Sequence, residues 1–453
     1  FEIPDGYIID LSMNLVYTQS TNPDAFYYIN YNTSEKISFP PGPSQKYLPA
    51  KKATILINTG TDQSRALIKF KYVDVRNYQS VAKNTGDYMK LSSVSNTFYT
   101  FTSQANDQVT FTSATEGVAD YSDALFYVYD GDSLSANYLG PLSALTAKDP
   151  QFKSSGNKLT IVNFYNMASP YWIIANDYKQ VIKYDNYQLI ITGSGYSTTQ
   201  QIKTLDPKFW AYTIICKNCD ENHIESIDFT GFYGGTGPRP QVQFMPLSPT
   251  DNKGTLLTYR DIDYNSLSLP QKIPAKMFSM VVMNSNVKIK FTPVLPSYLT
   301  PFDKRIIQVF SPSMWNPASS PAFDYSYQSG TMYNYTIQVN SLNINDIGGK
   351  LHMSIEPLIG ASTAVRDYTC DNNQATCTMN NLPPLLAQGQ VARIWYSGTS
   401  GQSTSWTTIK VVDPNPSSNP PTTPRIQTTT SSGSQVVLFF GVMFTFLKFL
   451  CCL

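Results

Sequence analysis

Charge is scarce in this chain and evenly divided. Of 453 residues only 14% are charged, with 33 Lys and Arg against 32 Asp and Glu, a formal net charge of +1. That balance sets up no field to gather nucleic acid or an anionic membrane surface, so no nucleic-acid partner is expected. Histidine is scarcer still, with His223 and His352 the two in the chain. Any Ser-His-Asp triad has to use one of them. Neither lies near a nucleophile motif such as G-x-S-x-G, and no catalytic residue is expected. A secreted hydrolase built on paired carboxylates stays as an alternative, because scattered acids reveal a pair only through geometry.

Cysteine is missing from the first 215 residues. Cys451 and Cys452 belong to a C-terminal apolar run, which leaves Cys216, Cys219, Cys370 and Cys377. These four can pair in more than one way. Local pairing, Cys216 with Cys219 and Cys370 with Cys377, is the simplest in an oxidising compartment. The spacing of the second pair does not match a zinc site. No helical pattern follows the first to lower a thiol pKa. No metal and no cofactor are expected. An initiator Met and a charged-then-apolar leader are also missing, so either a signal peptide has been removed or the chain is a fragment without its start, and residues 1–13, which already read as the middle of a domain, favour the fragment.

Long apolar runs are absent until residues 436–453, where nearly every residue is apolar. Before them lies a stretch of Pro, Ser, Thr and Asn at 413–435, which cannot bury enough apolar surface to offset the entropy of ordering and reads as a disordered stalk. Small residues, then a hydrophobic tail, then the chain end form the pattern that directs exchange of the tail for a glycosylphosphatidylinositol anchor, with Ser431, Ser432 and Gly433 as attachment candidates. The rival is a spanning helix. Twelve residues run from 436 to 447 before Lys448 interrupts, whereas a span needs roughly 20, and no basic segment follows. The polar spacer is shorter than such signals usually have. Either way the chain is expected at the extracellular face of the plasma membrane, or secreted. Asn32 and Asn334 open N-x-S/T sequons and are the expected glycan acceptors there.

Aromatics are plentiful, with 31 Tyr and 24 Phe, a mixture suited to half-buried strands. Period-two alternation recurs where helical spacing does not. Tyr7, Ile9, Leu11 and Met13 share one face of a strand, with Asp10 and Ser12 on the other. Further strands are expected at 68–75, 125–129, 158–162, 187–191, 287–291, 335–339, 393–396 and 408–412. Turn clusters such as Pro4-Asp5-Gly6, Pro40-Pro41-Gly42, Asp130-Gly131-Asp132 and Gly193-Ser194-Gly195 separate them. The expected fold is therefore all-β, as tandem β-sandwiches. The glycine-rich segment 229–238 reads as a turn between strands, because the Lys-Ser/Thr of a phosphate-binding loop is absent.

One stretch is more specific. Asp123-Ala124-Leu125-Phe126-Tyr127-Val128-Tyr129-Asp130-Gly131 joins a strand to a D-G turn, Leu139-Gly140 follows, and then Ser154-Ser155-Gly156-Asn157-Lys158-Leu159-Thr160-Ile161. This order resembles the CUB domain, a two-sheet sandwich, and more closely the nematode CUB-like family, whose opening P-x-G-Y is matched by Pro4-Asp5-Gly6-Tyr7. The resemblance covers about 200 residues. It implies a secreted or surface-attached protein, glycosylphosphatidylinositol-anchored here, from a group often linked to defence against microbes. Residues 1–75 would be the C-terminal half of a first CUB-like sandwich, 76–205 a second, and 206–412 one or two further sandwiches. Departures are clear: vertebrate-type CUB domains hold two disulfides. Some members bind Ca²⁺ through loop acids, where this chain offers only Asp123 and Asp130 and no third ligand. The expected function is non-catalytic recognition of an extracellular ligand, glycan or protein, by sandwich loops and tyrosine-rich faces, and the resemblance implies a setting in innate defence. The alternative is a structural or adhesive coat protein.

Overall fold

The computed structural model describes residues 2–16, 25–30, 35–38, 42–49, 52–58, 65–92, 94–147, 151–193, 198–203, 209–232, 239–251, 253–263, 265–370 and 376–415. Strands dominate them, and each of the nine segments expected from alternation lies on or within one residue of a strand. Period two succeeds because successive side chains point to opposite faces of a pleated strand, and one face of each sheet meets a core.

The first sandwich has β1 (Tyr7–Val16), β2 (Ala25–Asn30), β3 (Glu35–Ser38), β4 (Gly42–Leu48), β5 (Ala53–Asn58) and β6 (Arg65–Asp74). They form two antiparallel sheets, β4-β1-β6 and β3-β2-β5. Ile9, Leu11, Met13 and Leu15 project from β1 into its core. Residues 1–75, expected as half a module, thus already supply two sheets. The other face of β1 is covered only at Ile8 and Asp10, while Ser12, Asn14 and Val16 are exposed. Asp10 is only 5% exposed, taking a 2.8 Å hydrogen bond from the Gln45 amide and a 3.0 Å ion pair from Lys71.

The second sandwich has β7 (Gln79–Asn84), β8 (Tyr88–Lys90), β9 (Thr97–Thr102), β10 (Val109–Thr115), β11 (Phe126–Asp130), β12 (Asn137–Pro141), β13 (Lys158–Asn163) and β14 (Tyr171–Asp177). Sheet β10-β14-β8 faces β12-β11-β13-β9-β7 across a core that includes Phe101, Phe111, Val128 and Ile161. The expected V-Y-D-G strand is β11 and the L-T-I strand is β13, and they pair with each other. Ile8 of the first sandwich packs into an aromatic cluster of the second with Tyr127, Tyr129, Tyr138 and Phe164. Tyr127 Oη donates to the Tyr47 carbonyl at 3.0 Å, and Tyr47 N donates to Tyr165 Oη at 3.2 Å.

The third sandwich has β15 (Asn186–Thr192), β16 (Thr198–Lys203), β17 (Phe209–Cys216), β18 (Asn222–Phe232), β19 (Gln241–Pro246), β20 (Leu257–Arg260), β21 (Gln271–Ile273), β22 (Met277–Met283) and β23 (Ser285–Thr292). Its sheets are β15-β17-β22-β19-β20 and β16-β23-β18-β21. β15 and β16 fall inside 76–205 yet pair with β17 and β23. The boundary expected at 205 therefore moves back to the segment before Asn186. A chain boundary follows ladder pairing, which alternation along one strand does not reveal.

The fourth has β24 (Ile306–Phe310), β25 (Phe323–Ile344), β26 (Lys350–Glu356), β27 (Ala364–Thr369), β28 (Cys377–Asn380), β29 (Leu385–Ser397) and β30 (Thr404–Val412). Their order is β24-β30-β25-β29-β26-β27, with β28 also on β25. A register shift between Gln328 and Tyr333 interrupts the ladder of the long β25 with β29, and the strands of this one sheet line a common core. Trp315 of this part is fully buried in the core of the third sandwich, edge-on to Phe278 at 6.3 Å.

Candidate functional site: a three-loop end of the second sandwich

Three loops meet at the end of the second sandwich where β11 begins. Ser122 Oγ and Ser169 Oγ share a 2.6 Å hydrogen bond, which ties loop 117–121 to loop 165–169. Ser95 Oγ donates to Asn166 Oδ1 at 3.0 Å and brings in the turn at 94–96. Glu116 N donates to the Pro170 carbonyl at 3.0 Å, and Asn163 Nδ2 to the Met167 carbonyl at 2.7 Å. These bonds fix the loop bases.

The tips carry apolar side chains into solvent. Val118 is 87% exposed, Tyr121 84%, Met167 55% and Val94 44%. Single exposed apolar residues are ordinary on any surface, but these four stand on loops that the hydrogen bonds above tie together. The loops are also conformationally unusual. Asn96, Tyr121 and Asn166, one in each loop, have φ of 53°, 60° and 54°. Asparagine tolerates this left-handed region, but an aromatic residue there costs roughly 1–2 kcal/mol. Asp120 is the one charged residue of the three tips. It accepts the Ser122 N–H at 3.0 Å, and the Ser122 hydroxyl and backbone hold its carboxyl below the usual range. Burial raises the neighbouring Asp123 instead. Met167 follows Tyr165, whose hydroxyl contacts both Tyr127 and Tyr47 N, so the rim rests on the junction with the first sandwich.

A concavity of about 350 Å³ is lined by residues of both the first and the second sandwich. The turn Pro4-Asp5-Gly6-Tyr7 forms one wall and Leu134, Ser135, Ala136, Asn137 and Tyr138 another. The opening Pro4-Asp5-Gly6-Tyr7 turn of the resemblance thus meets Tyr129 of its V-Y-D-G strand there.

The structure joins Cys216 to Cys219 and Cys370 to Cys377, with Cα separations of 5.5 and 5.7 Å. Asn334 is exposed on β25, open to a glycan. Asn32, Ser431, Ser432, Gly433, the tail and residues 233–238 of the glycine-rich segment lie outside the described residues. Asp123 and Asp130 stand at opposite ends of β11, about 16 Å of strand apart, and cannot share one ion. Among the described residues no three His, Cys, Asp or Glu side chains are grouped to hold a metal. No described helix is long and apolar enough to cross a membrane. His223 is buried, and burial pushes its pKa down. His352 is held by Asp367 at 2.6 Å and stacks 5.0 Å from Trp395. Two residues along that strand Ser354 donates to Glu356, so it is not aimed at His352 as a nucleophile. The rim residues Val118, Tyr121 and Met167 escaped sequence reasoning. Their one signal was apolar side chains isolated in turn-rich segments.

No family model matches the chain, and no curated protein does. Solved structures similar to it include the CUB1-EGF-CUB2 domains of rat MASP-1, at 10% identity over 50% of this chain and 100% of that one, with a TM-score of 0.17. The VP2 subviral particle of infectious bursal disease virus is 11% identical over 68% of this chain and 73% of its own, TM-score 0.14. An archaeal virus protein with a triple jelly roll fold and turret assembly is 6% identical over 91% and 81%, TM-score 0.13. Scores this low carry no weight for the function. The all-β, multi-sandwich architecture stands on the strands and sheets themselves.

Proposed function

We propose that this chain is a non-catalytic recognition protein, displayed on the cell surface or secreted, that binds an extracellular ligand through the three-loop end of its second sandwich. The observation that carries the reading is the exposed quartet Val94, Val118, Tyr121 and Met167, with Tyr121 held in a left-handed conformation. Strained, exposed aromatics persist where the surroundings hold them, and they recur at ligand contacts. Loops clustered at one end of a rigid sandwich are a common place for recognition. Two local disulfides agree with an oxidising, extracellular address. The resemblance to the nematode CUB-like family adds defence against microbes as the setting and a lipid anchor as the tether.

The test uses the full chain on a panel of microbial glycans and whole-cell envelopes. Binding by the natural protein, lost at least tenfold in the Val118→Ser, Tyr121→Ser, Met167→Ser triple variant, supports the reading. Absence of binding across the panel counts against the defence setting, and equal binding by both proteins counts against the rim. Treatment of expressing cells with a phosphatidylinositol-specific phospholipase tests the tether. Release supports the anchor, and retention beside an active control supports a spanning helix.

A further inference from the structure

The third and fourth sandwiches meet along a buried seam of aromatic and cationic groups. His223 on β18 is 3% exposed, its ring centroid lies 5.3 Å from that of Tyr298, and its Nδ1 is enclosed without a hydrogen-bond partner. Tyr298 in turn shares a 2.6 Å hydroxyl hydrogen bond with Tyr327, and the Arg305 guanidinium lies 5.7 Å from the Tyr298 ring. Arg305 is fully buried, yet backbone carbonyls bind it rather than a carboxylate: Thr300 O and, at 3.1 Å, Pro270 O. Its Nε has no partner. A buried cation without a counterion is costly, and the seam tolerates this one through carbonyl dipoles and tyrosine hydroxyls.

His223 has charged and titratable neighbours on every side. Lys272 on β21 is directly opposite it in the ladder, with its amine 2.5 Å from Glu221. Thr292 on β23 is opposite on the other edge, and the nearby Lys290 is bonded to Glu225. From the fourth sandwich come Tyr298, with Tyr327 and Arg305 behind it, and Tyr325, whose ring lies 4.4 Å from the Lys272 amine. Glu221, the acid whose charge reaches His223, is therefore already engaged by Lys272.

We propose that the junction between the third and fourth sandwiches is an acid-sensitive joint. Protonation of His223 adds a further buried cation to a seam that already holds Lys272 and Arg305 and whose nearest acid, Glu221, is engaged by Lys272, and the fourth sandwich loosens from the third. The sign follows from the environment. Burial first, then Lys272, lowers the proton affinity of folded His223, so unfolded or opened chain binds the proton first as pH falls below about 6.5. The stabilising neutral form is complete above that pH and is lost below it, by up to about tenfold in the closed-to-open ratio per pH unit until the folded group titrates.

Hydrogen exchange of the full chain at pH 7.5 and pH 5.0, corrected for intrinsic rates, tests the joint. In the natural protein, peptides spanning 268–273 and 296–310 are expected to lose at least about tenfold in protection at pH 5.0, and in His223→Gln they keep it. Equal loss in both proteins, or none in the natural one, overturns the proposal. If His223→Gln folds poorly, imidazole NMR of the natural chain decides. With two histidines in the chain, a His223 ring that titrates at an ordinary pH near 6.5 with unchanged protection also overturns it.

Discussion

Gln271 and Gln308 clasp each other across two sandwiches. The Gln271 amide donates to the Gln308 carbonyl at 2.7 Å and accepts the Gln308 N–H at 3.1 Å, so a buried side chain of the third sandwich completes the outer edge of β24 in the fourth. Replacing Gln271 by Leu strands both backbone groups. A loss of about 2–4 kcal/mol is expected, since each buried unsatisfied group costs about 1–3 kcal/mol. Urea unfolding with Trp315 and Trp406 as fluorescent reporters measures it, and a variant as stable as the natural chain would deny the clasp its role.

Gly6 is required by both backbone and neighbour. Its φ is +81°, and a Cβ there would lie 2.5 Å from Arg76 Cγ. Arg76 cannot easily give way, because Asp74 holds it by two bonds of 2.9 and 2.6 Å and its NH2 donates to Tyr7 Oη at 2.9 Å. Gly6→Ala is expected to cost about 1–3 kcal/mol. Part of that should return when Arg76 is also replaced by Ala, and thermal unfolding of the four proteins of this cycle checks it.

Tyr121 should show a trade between stability and binding. In its left-handed conformation glycine is free of the Cβ penalty, so Tyr121→Gly is expected to stabilise the second sandwich by up to about 1 kcal/mol while weakening ligand capture. Calorimetry reads the first effect and the envelope panel the second. A destabilised variant would mean that the side chain is held by contacts rather than strained.

Asp346 gathers the loop at 398–403. It accepts Ser403 Oγ at 2.8 Å, Ser400 N at 2.7 Å, Thr399 N at 3.2 Å and Tyr396 Oη at 3.3 Å. Burial opposes its charge, but these donors outweigh it and lower its pKa. A depressed carboxyl contributes stability above the unfolded value of about 3.9 and loses it as pH falls through the folded one. Asp346→Ala is expected to cost about 1–3 kcal/mol near neutrality. The gap between natural protein and Asp346→Asn should narrow from pH 6 to pH 3, as denaturant midpoints at each pH would show.

The strands were readable because their cause is local. Tyr7, Ile9, Leu11 and Met13 alternate with polar residues, and any sheet that buries one face will use that pattern. The same pattern misjudged Asp10. It stands among the polar positions of β1, but the second sandwich covers part of that face, and Gln45 and Lys71 supply partners for the carboxylate. The burial of Arg305 is not legible in the sequence for a similar reason, since nothing nearby in sequence reveals that Pro270 O accepts from it. The rim was hidden because its parts lie in three separated loops that only hydrogen bonds such as Ser122 to Ser169 bring together.

By itself, then, the amino-acid sequence determined the class of structure: many half-buried strands, four cysteines outside the apolar tail close enough to pair locally, and two histidines with no nucleophile motif beside them. Those follow from neighbour-to-neighbour periodicity and from composition. Tertiary structure alone decided that the sandwiches share buried junctions, that β15 and β16 belong to the third of them, and that Val118, Tyr121 and Met167 stand together at one end. Each of these depends on contacts between residues tens to hundreds of positions apart, and their register and packing are set by the whole fold.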